Sequence, residues 1–443
     1  MLQNISYKNI WKIALPIIIS GVAQNVVTVT DTMFLGRLGN VELGAAGNAG
    51  ILYFLLVLSG MGFTTGAQII IGRRNGEQNF TQIGKVFDHC IYFIIPLSIL
   101  LFVFIKLFSP FLLESITQSK SILAAATDFL SYRIYGLFFA FLLGAFVAFY
   151  IGTTKTRILI YVTLIMMIVN VFLDYSLIFG NFGFPKMGIK GAALASVISE
   201  ICALGFLIVF TLKKIDLNKY NLFNFSKFDI EILKRITKVG GPMMLQNFLS
   251  ISSWFIFFII IEKIGERELA ISHIIRSIYM VLMIPLFGFS SATNTLVSNL
   301  IGQGNKHLVL TLVKKVTFLS LACTSIALLF NIFLPTQIIG FYTSDSSLIQ
   351  ETVQTLNVIS GTMFSFAIAF IFFNGVSGTG DTQTALLIEF ITISIYLVAT
   401  YYIAIILQSS LPIVWCSEFI YFTLLGSLSF AYLKWGKWGA ANI

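Results

Sequence analysis

Charge is what this sequence has least of. Only 11% of its 443 residues are Asp, Glu, Lys or Arg, against about 25% in ordinary soluble proteins. That shortage excludes a water-exposed surface over most of the chain. Histidine is scarce, at 3 residues, and the 4 cysteines (Cys90, Cys202, Cys323, Cys416) stand singly in apolar stretches. Without a Cys-x-x-Cys pair or a Cys/His cluster there is no metal or disulfide framework, and all four cysteines read as small core residues. Long polar segments are missing too, except for the connection 214–235, which divides the chain nearly in half. No GxxxxGK[ST], HExxH, GxSxG or paired Asp-rich prenyl-diphosphate motif occurs. An ATP-driven pump and an intramembrane enzyme therefore lack their chemistry, and no enzymatic activity is expected.

What the chain does have is apolar length. Hydrophobic residues make up 57% of it and the mean hydropathy is +0.91. The apolar runs are each near the roughly 20 residues a helix needs to cross a bilayer. Lipid offers no partner for backbone amides, and no run alternates as a barrel strand would, so the runs must be helices. Twelve spans are expected: 11–36, 46–71, 86–108, 122–151, 158–179 and 188–212, then 236–261, 271–300, 312–334, 352–376, 385–407 and 413–433. The fourth and eighth are long enough for parts of them to lie at or beyond the interface. The first exceeds a signal-peptide core and lacks a small-x-small cleavage site, so it is expected to stay as the first helix. The fold class is an all-α membrane protein of two six-helix bundles: a lobe at 1–213, a cytoplasmic linker at 214–235 and a lobe at 236–443.

The formal net charge of +9 would suggest nucleic acid, but the basic residues lie in short loops between spans, where they set topology. With both termini on one side, 19 Lys and Arg fall on that side and 6 on the other. This puts the termini in the cytoplasm of a bacterial-type inner membrane and leaves no nucleic-acid partner to expect. The halves also repeat. A shift of 226 superposes Pro16 on Pro242, Gly39 on Gly265, Glu42 on Glu268, Tyr53 on Tyr279 and Gly62 on Gly288. It continues to Gly152-Thr153 on Gly378-Thr379. Parallel repeats of six spans are a transporter architecture.

An ionisable group near the bilayer centre costs about 2.5–3.5 kcal/mol on insertion scales, so each is a functional candidate. Asp31 and Asp174 each stand five residues before the outer end of a span, roughly 8 Å inside it. Asn170 shares a helix face with Asp174, and Ser196 lies about 12 Å along the inward-running sixth span. Two carboxylates in one desolvated site cannot both stay ionised cheaply, which makes one a candidate proton carrier. Carboxylate, amide and hydroxyl oxygens together also suit a hard cation such as Na+ at Asp31, Asn170 and Asp174. Equally, they could be polar groups tying helices together. Of the other intramembrane charges, Asp128 and Arg133 read as residents of the outer interface. Glu200, Glu389 and Glu418 could line a cavity, and His273 and Arg276 could pair with an acid or snorkel. The 44 Phe and 11 Met suit a pliable apolar cavity.

The motifs together resemble the multidrug and toxic compound extrusion (MATE) family. They are Ala14-Leu15-Pro16, Val29-Thr30-Asp31-Thr32, Leu35-Gly36-Arg37-Leu38-Gly39, Gly152-Thr153-Thr154-Lys155-Thr156, the stretch from Asn170 to Gly180, and Gly191 to Ser196. In the second half they are Gly240-Gly241-Pro242 and Gly378-Thr379-Gly380-Asp381-Thr382. The resemblance implies twelve helices in two lobes around a V-shaped cleft, and antiport of small molecules, often amphipathic organic cations, against protons or sodium. It implies no cofactor beyond the coupling ion, membrane lipid as surroundings and a chain working as a monomer. It assigns ion coupling to Asp31, Asn170 and Asp174, with the Ser196 hydroxyl and the Ala192 carbonyl as further ligands and Gln24 lining the substrate chamber. Some branches carry acidic residues in the seventh and tenth helices, where this chain has Gln246-Asn247-Phe248-Leu249-Ser250 and Ser365-Phe366-Ala367. That departure favours coupling in the first lobe, as in the DinF-like branch. A lipid-linked saccharide flippase of the same superfamily is the alternative, weakened by the scarcity of Arg and Lys in the spans.

Overall fold

A computed structural model describes residues 5–225 and 227–438, and every regular element among them is helical. The first half comprises α1 (Tyr7–Leu38), α2 (Asn40–Gly76), α3 (Phe80–Ile116), α4 (Lys120–Arg133), α5 (Gly136–Gly152), α6 (Ile158–Phe179), α7 (Ile189–Lys214) and the short α8 (Leu217–Tyr220). The second comprises α9 (Ile230–Glu262), α10 (Glu266–Gly302), α11 (Val309–Phe333), α12 (Pro335–Gly340), α13 (Ser346–Gly378), α14 (Thr382–Tyr401), α15 (Leu411–Trp415) and α16 (Ser417–Trp435). Eleven stretches of helix are long and apolar enough to cross a membrane, and the spans reach twelve when α4 and α5 count as one. The expected fourth span is thus not one long helix; it bends by 49° where α4 meets α5. The eighth is unbroken, as α10. Of the cysteines, Cys90 alone is fully buried; Cys202 is exposed and the other two are half-buried, which corrects the core reading.

The internal repeat is carried into the backbone. Under the shift of 226 the bounds of α2 coincide with those of α10. The start of α4 and the end of α5 fall on the start and end of α13. The same span is therefore broken in the first half and continuous in the second, and the sequence difference at the break matters for the site described below.

Contacts divide the chain into two compact units, one of residues 19–244 and one of residues 1–18 with 245–443. These bounds differ from the lobes expected at 1–213 and 236–443, because α1 and α9 each begin in one unit and end in the other. Both switches lie two residues beyond a proline inside the helix, Pro16 and Pro242. Proline removes a backbone donor from a helix, so the two switches fall beside weakened turns at matching points of the repeat.

The linker is not a free strap. Phe225 donates its backbone N–H to Asp88 Oδ2 at 3.0 Å, and Asp229 donates its N–H to His89 Nε2 at 2.8 Å. Because Nε2 accepts, the ring proton sits on Nδ1, which donates to the Lys85 carbonyl at 2.7 Å. Two adjacent side chains of α3 thereby supply partners for amides that have no helix of their own.

Within the 19–244 unit, small residues let backbones touch, as membrane helices do in place of hydrophobic driving force. A Cβ on Gly62 would lie 2.5 Å from the Met244 backbone, and one on Gly66 would overlap the backbone of Gly240. Neither neighbour can swing away. Gly66→Ala should therefore lower stability by about 1–3 kcal/mol, the usual range for overpacking, read as a lower melting temperature in detergent. Gly205→Ala, where nothing lies within 4 Å, should leave it unchanged or raise it slightly, since Ala is the better helix former by about 1 kcal/mol.

Candidate functional site

Three helices of the 19–244 unit build the polar cluster. Helix α6 presents Asn170 and Asp174 one turn apart, 1% and 0% exposed. Its end is set just beyond them, where Gly180 adopts φ +79° and donates its N–H to Ser176 O at 2.9 Å, a left-handed cap that a Cβ would disfavour. Helix α1 brings Asp31. One turn further along α1, the Phe34 ring packs on Phe179 edge-on at 5.9 Å and on Tyr175 at 6.3 Å. This aromatic clasp joins α1 to α6 just beyond the carboxylates along both helices.

Asp31 and Asp174 interact directly, and Asn170 contacts Asp31 as well. None of the three completes a well-aligned hydrogen bond through its buried atoms. Oδ1 of Asp31, both carboxylate oxygens of Asp174, and both amide atoms of Asn170 are buried without a partner. A buried polar atom without a hydrogen bond costs roughly 1–3 kcal/mol, and a charged one more. Four of these five atoms are oxygens that a positive ligand would satisfy, while the Asn170 amide nitrogen is a donor. Carboxylate and amide oxygens suit either a hard monovalent cation or protons shared between the acids.

Helix α7 forms the third wall. It crosses α6 at Gly191, where a Cβ would come within 2.8 Å of the Leu177 carbonyl. From that crossing the helices run antiparallel, and at 1.5 Å per residue Ser196 falls between the levels of Asp174 and Asn170. Ser196 is half-buried and Ala192, one turn before it, is 3% exposed. Gln24, two turns before Asp31 on α1, is exposed and outside the cluster.

A neighbouring pair went unrecognised in the sequence. Arg133, its side chain 14% exposed, is bonded through both terminal nitrogens to Glu200 at 2.6 and 3.1 Å, with its guanidinium carbon 3.9 Å above the Tyr53 ring. Its charge acts on Asp31. Asp128 does remain near the surface, 3.2 Å from Lys190 with half its side chain exposed. The signal available in the sequence was the lone Arg in one span and the lone Glu in another, since charges inside a membrane pair with one another.

The second half has no such cluster at the matching positions. Under the shift of 226, Asp31, Asn170 and Asp174 become Phe257, Tyr396 and Thr400. Phe257 stacks on Tyr396 at 6.0 Å and meets Trp415 at 4.8 Å, while Thr400 donates back to the Tyr396 carbonyl at 2.8 Å. The acids in this unit are met by hydroxyls. Ser250 and Tyr421 each donate to Glu389 Oε1 at 2.8 Å, leaving only Oε2 unpartnered, and Tyr396 donates to Glu418 at 2.9 Å. His273 stacks on Phe258 at 5.2 Å, and Arg276 lies 5.3 Å from the same ring, with no acid bonded to it among the described residues.

Comparison with known proteins agrees with the helix count and the repeat. The MatE family model matches residues 16–176 and 242–430. A probable multidrug resistance protein NorM of Thermotoga maritima is 26% identical over 386 residues, 87% of this chain and 83% of its own length. A probable multidrug resistance protein YoeA of Bacillus subtilis is 25% identical over 307 residues, 68% of this chain and 66% of its own. Among solved structures, a MATE in complex with MaL6 superposes with a TM-score of 0.88 at 18% identity, covering 97% of this chain and 95% of that one. An outward-facing multidrug resistance MATE transporter of the MOP superfamily gives 0.89 at 18% identity, covering 96% and 95%.

If the orphaned atoms are ligands, a cation should stabilise the purified protein. Sodium titrated against choline, or protons, should raise the melting temperature, by about 2.7 kcal/mol of stability at a hundredfold excess over Kd. Asp174→Asn should abolish that rise and Glu389→Gln should leave it. Loss of the rise in Glu389→Gln alone would move the site to the other unit.

Proposed function

The chain belongs to the MatE family of multidrug efflux transporters, and we propose that it is a secondary antiporter exporting amphipathic organic cations in exchange for protons or sodium by alternating access. The observation that carries this reading is the cluster of Asp31, Asn170 and Asp174, with five buried polar atoms left without partners. An incoming cation would neutralise the two carboxylates and draw α1, α6 and α7 together around Ser196 and the Ala192 carbonyl. Its departure would restore the repulsion and loosen α1. A cationic substrate would compete for the same negative field, so that each turn of the cycle exchanges one for the other. No further cofactor is needed, and a single chain supplies every residue of the cluster.

Coupling confined to the first lobe is the arrangement of the DinF-like branch, and the aromatic replacements at Phe257 and Tyr396 favour it. The excess of Lys and Arg on one side supports a cytoplasmic-membrane protein with both termini inside. The flippase alternative is disfavoured, because a pyrophosphate headgroup would call for converging basic side chains. Arg133 is instead bonded to Glu200, and Arg276 lies against an aromatic ring.

Proteoliposomes loaded with a fluorescent organic cation should export it when a sodium or proton gradient is imposed. Asp31→Asn and Asp174→Asn should each reduce gradient-driven export by at least about tenfold, since loss of a charge-assisted contact worth 1.4 kcal/mol or more is a factor of ten. Undiminished export in both variants would remove the coupling site.

A further inference from the structure

The break between α4 and α5 has no equivalent in the second half, where α13 runs through the same register as one helix carrying Ile359 and Thr362. In the first half those positions are Arg133 and Gly136. A Cβ on Gly136 would collide with Arg133 Nη1 and lie 2.6 Å from Glu200 Oε2 and 2.8 Å from the Tyr53 hydroxyl. Glycine and a 49° bend are therefore what admit a guanidinium to this point of the core. An apolar side chain there would let the helix run straight, as it does at Ile359. The first half keeps a half-buried charge that its own repeat shows to be dispensable for the fold.

The charge is close to the ion cluster. Ala192, Ser196 and Glu200 follow one another at intervals of four on α7, one stripe of one helix face. Glu200 thus continues, a single turn inward, the wall that carries Ser196. Arg133 is held there on two sides, by the fork of hydrogen bonds to Glu200 and by the face of Tyr53. Its field reaches Asp31. Taken together, Asp31, Asp174 and Glu200 carry three potential negative charges and Arg133 one positive charge that cannot be discharged by deprotonation.

We propose that Arg133 is a resident competitor for the coupling cation, with Glu200 and Tyr53 as the groups that hold it back. While a cation occupies the aspartates, the guanidinium rests on Glu200. When the cation leaves, the guanidinium swings toward Asp31 and Asp174, neutralises the emptied site and must be displaced before the next cation binds. Arg133 is a positioning residue that sets cation affinity and does not itself touch the transported substrate. The inference rests on the coupling reading given above and adds to it the group that sets the working concentration of the ion.

The test is the sign of the change in half-saturating cation concentration, measured by melting of purified protein and by transport, with sodium titrated against choline at constant ionic strength and with pH. Arg133→Gln removes the competitor and should lower the half-saturating concentration about tenfold. Glu200→Gln frees the competitor and should raise it about tenfold. The double variant should behave as Arg133→Gln alone, because nothing is left to release. Tyr53→Leu keeps both charges and removes the ring beneath the guanidinium, and it should raise the value a few-fold even if the ion-pair variants fold poorly. A pair that serves only to hold helices together would move Arg133→Gln and Glu200→Gln in the same direction, and that result, or no shift in either or in Tyr53→Leu, overturns the proposal. A wild-type protein indifferent to both cations would instead show that the coupling reading had failed, and the proposal with it.

Discussion

Two carboxylates cannot share a dry pocket unless something positive joins them. Unit charges about 4 Å apart repel by about 4 kcal/mol at the effective dielectric of a protein, a large fraction of the net stability of a fold. In this chain Asp31 and Asp174 meet inside the membrane-spanning part of one unit, with Asp31 Oδ1 and both Asp174 oxygens left without a hydrogen-bond partner. The surrounding helices make sense as consequences. The Phe34 clasp holds α1 against α6, and Gly191 lets α7 close on α6 at contact distance. Of the three helices around the cluster, α1 is the one with an internal proline, some four turns away. An ion that decides whether α1 stays clasped would decide the conformation of the unit.

The tandem repeat gives an internal comparison. The two halves share helix bounds in α2 and α10 to the residue, so differences between them are not required by the fold. At the three positions of the acidic cluster the second half has Phe257, Tyr396 and Thr400, closed by ring packing and a backbone hydrogen bond. Its own acids, Glu389 and Glu418, receive tyrosine hydroxyls. Oxygen atoms supplied with donors are structural polars of the kind that tie membrane helices together. At the three cluster positions the first half is thus polar and incompletely satisfied where the second is closed by rings, and the broken fourth span with Arg133 is a further difference between the halves.

Much of this was legible in the sequence, for physical reasons. Lipid permits only helices or barrels, so hydropathy fixed the number and order of spans. The spacing of Asp31 and Asp174 from the expected ends of their spans put them at similar levels, although α1 runs two residues further than expected, to Leu38. Less could be read where tertiary packing decides. The bend beside Arg133 lies where a guanidinium meets Glu200, 67 residues away, and hydropathy sees only one long apolar run there. The change of unit within α1 and α9 depends on which neighbours each part of the helix meets, and proline marks the place without naming the neighbours. The exposure of Cys202 follows from which face of α7 meets lipid, and a single cysteine in an apolar run does not report its face.

The relation between cation and substrate is the most direct test of the coupling site. If Asp31 and Asp174 hold the ion that substrate must displace, then by linkage each must weaken the other's binding to the same degree. Equilibrium binding of a fluorescent organic cation to purified protein, measured across sodium concentration and across pH, should show its apparent Kd rising in proportion to one of the two cations. In Asp174→Asn the dependence should be flat. A wild-type Kd indifferent to both cations, in protein whose transport still follows a cation gradient, would contradict the claim that the ion acts at this cluster.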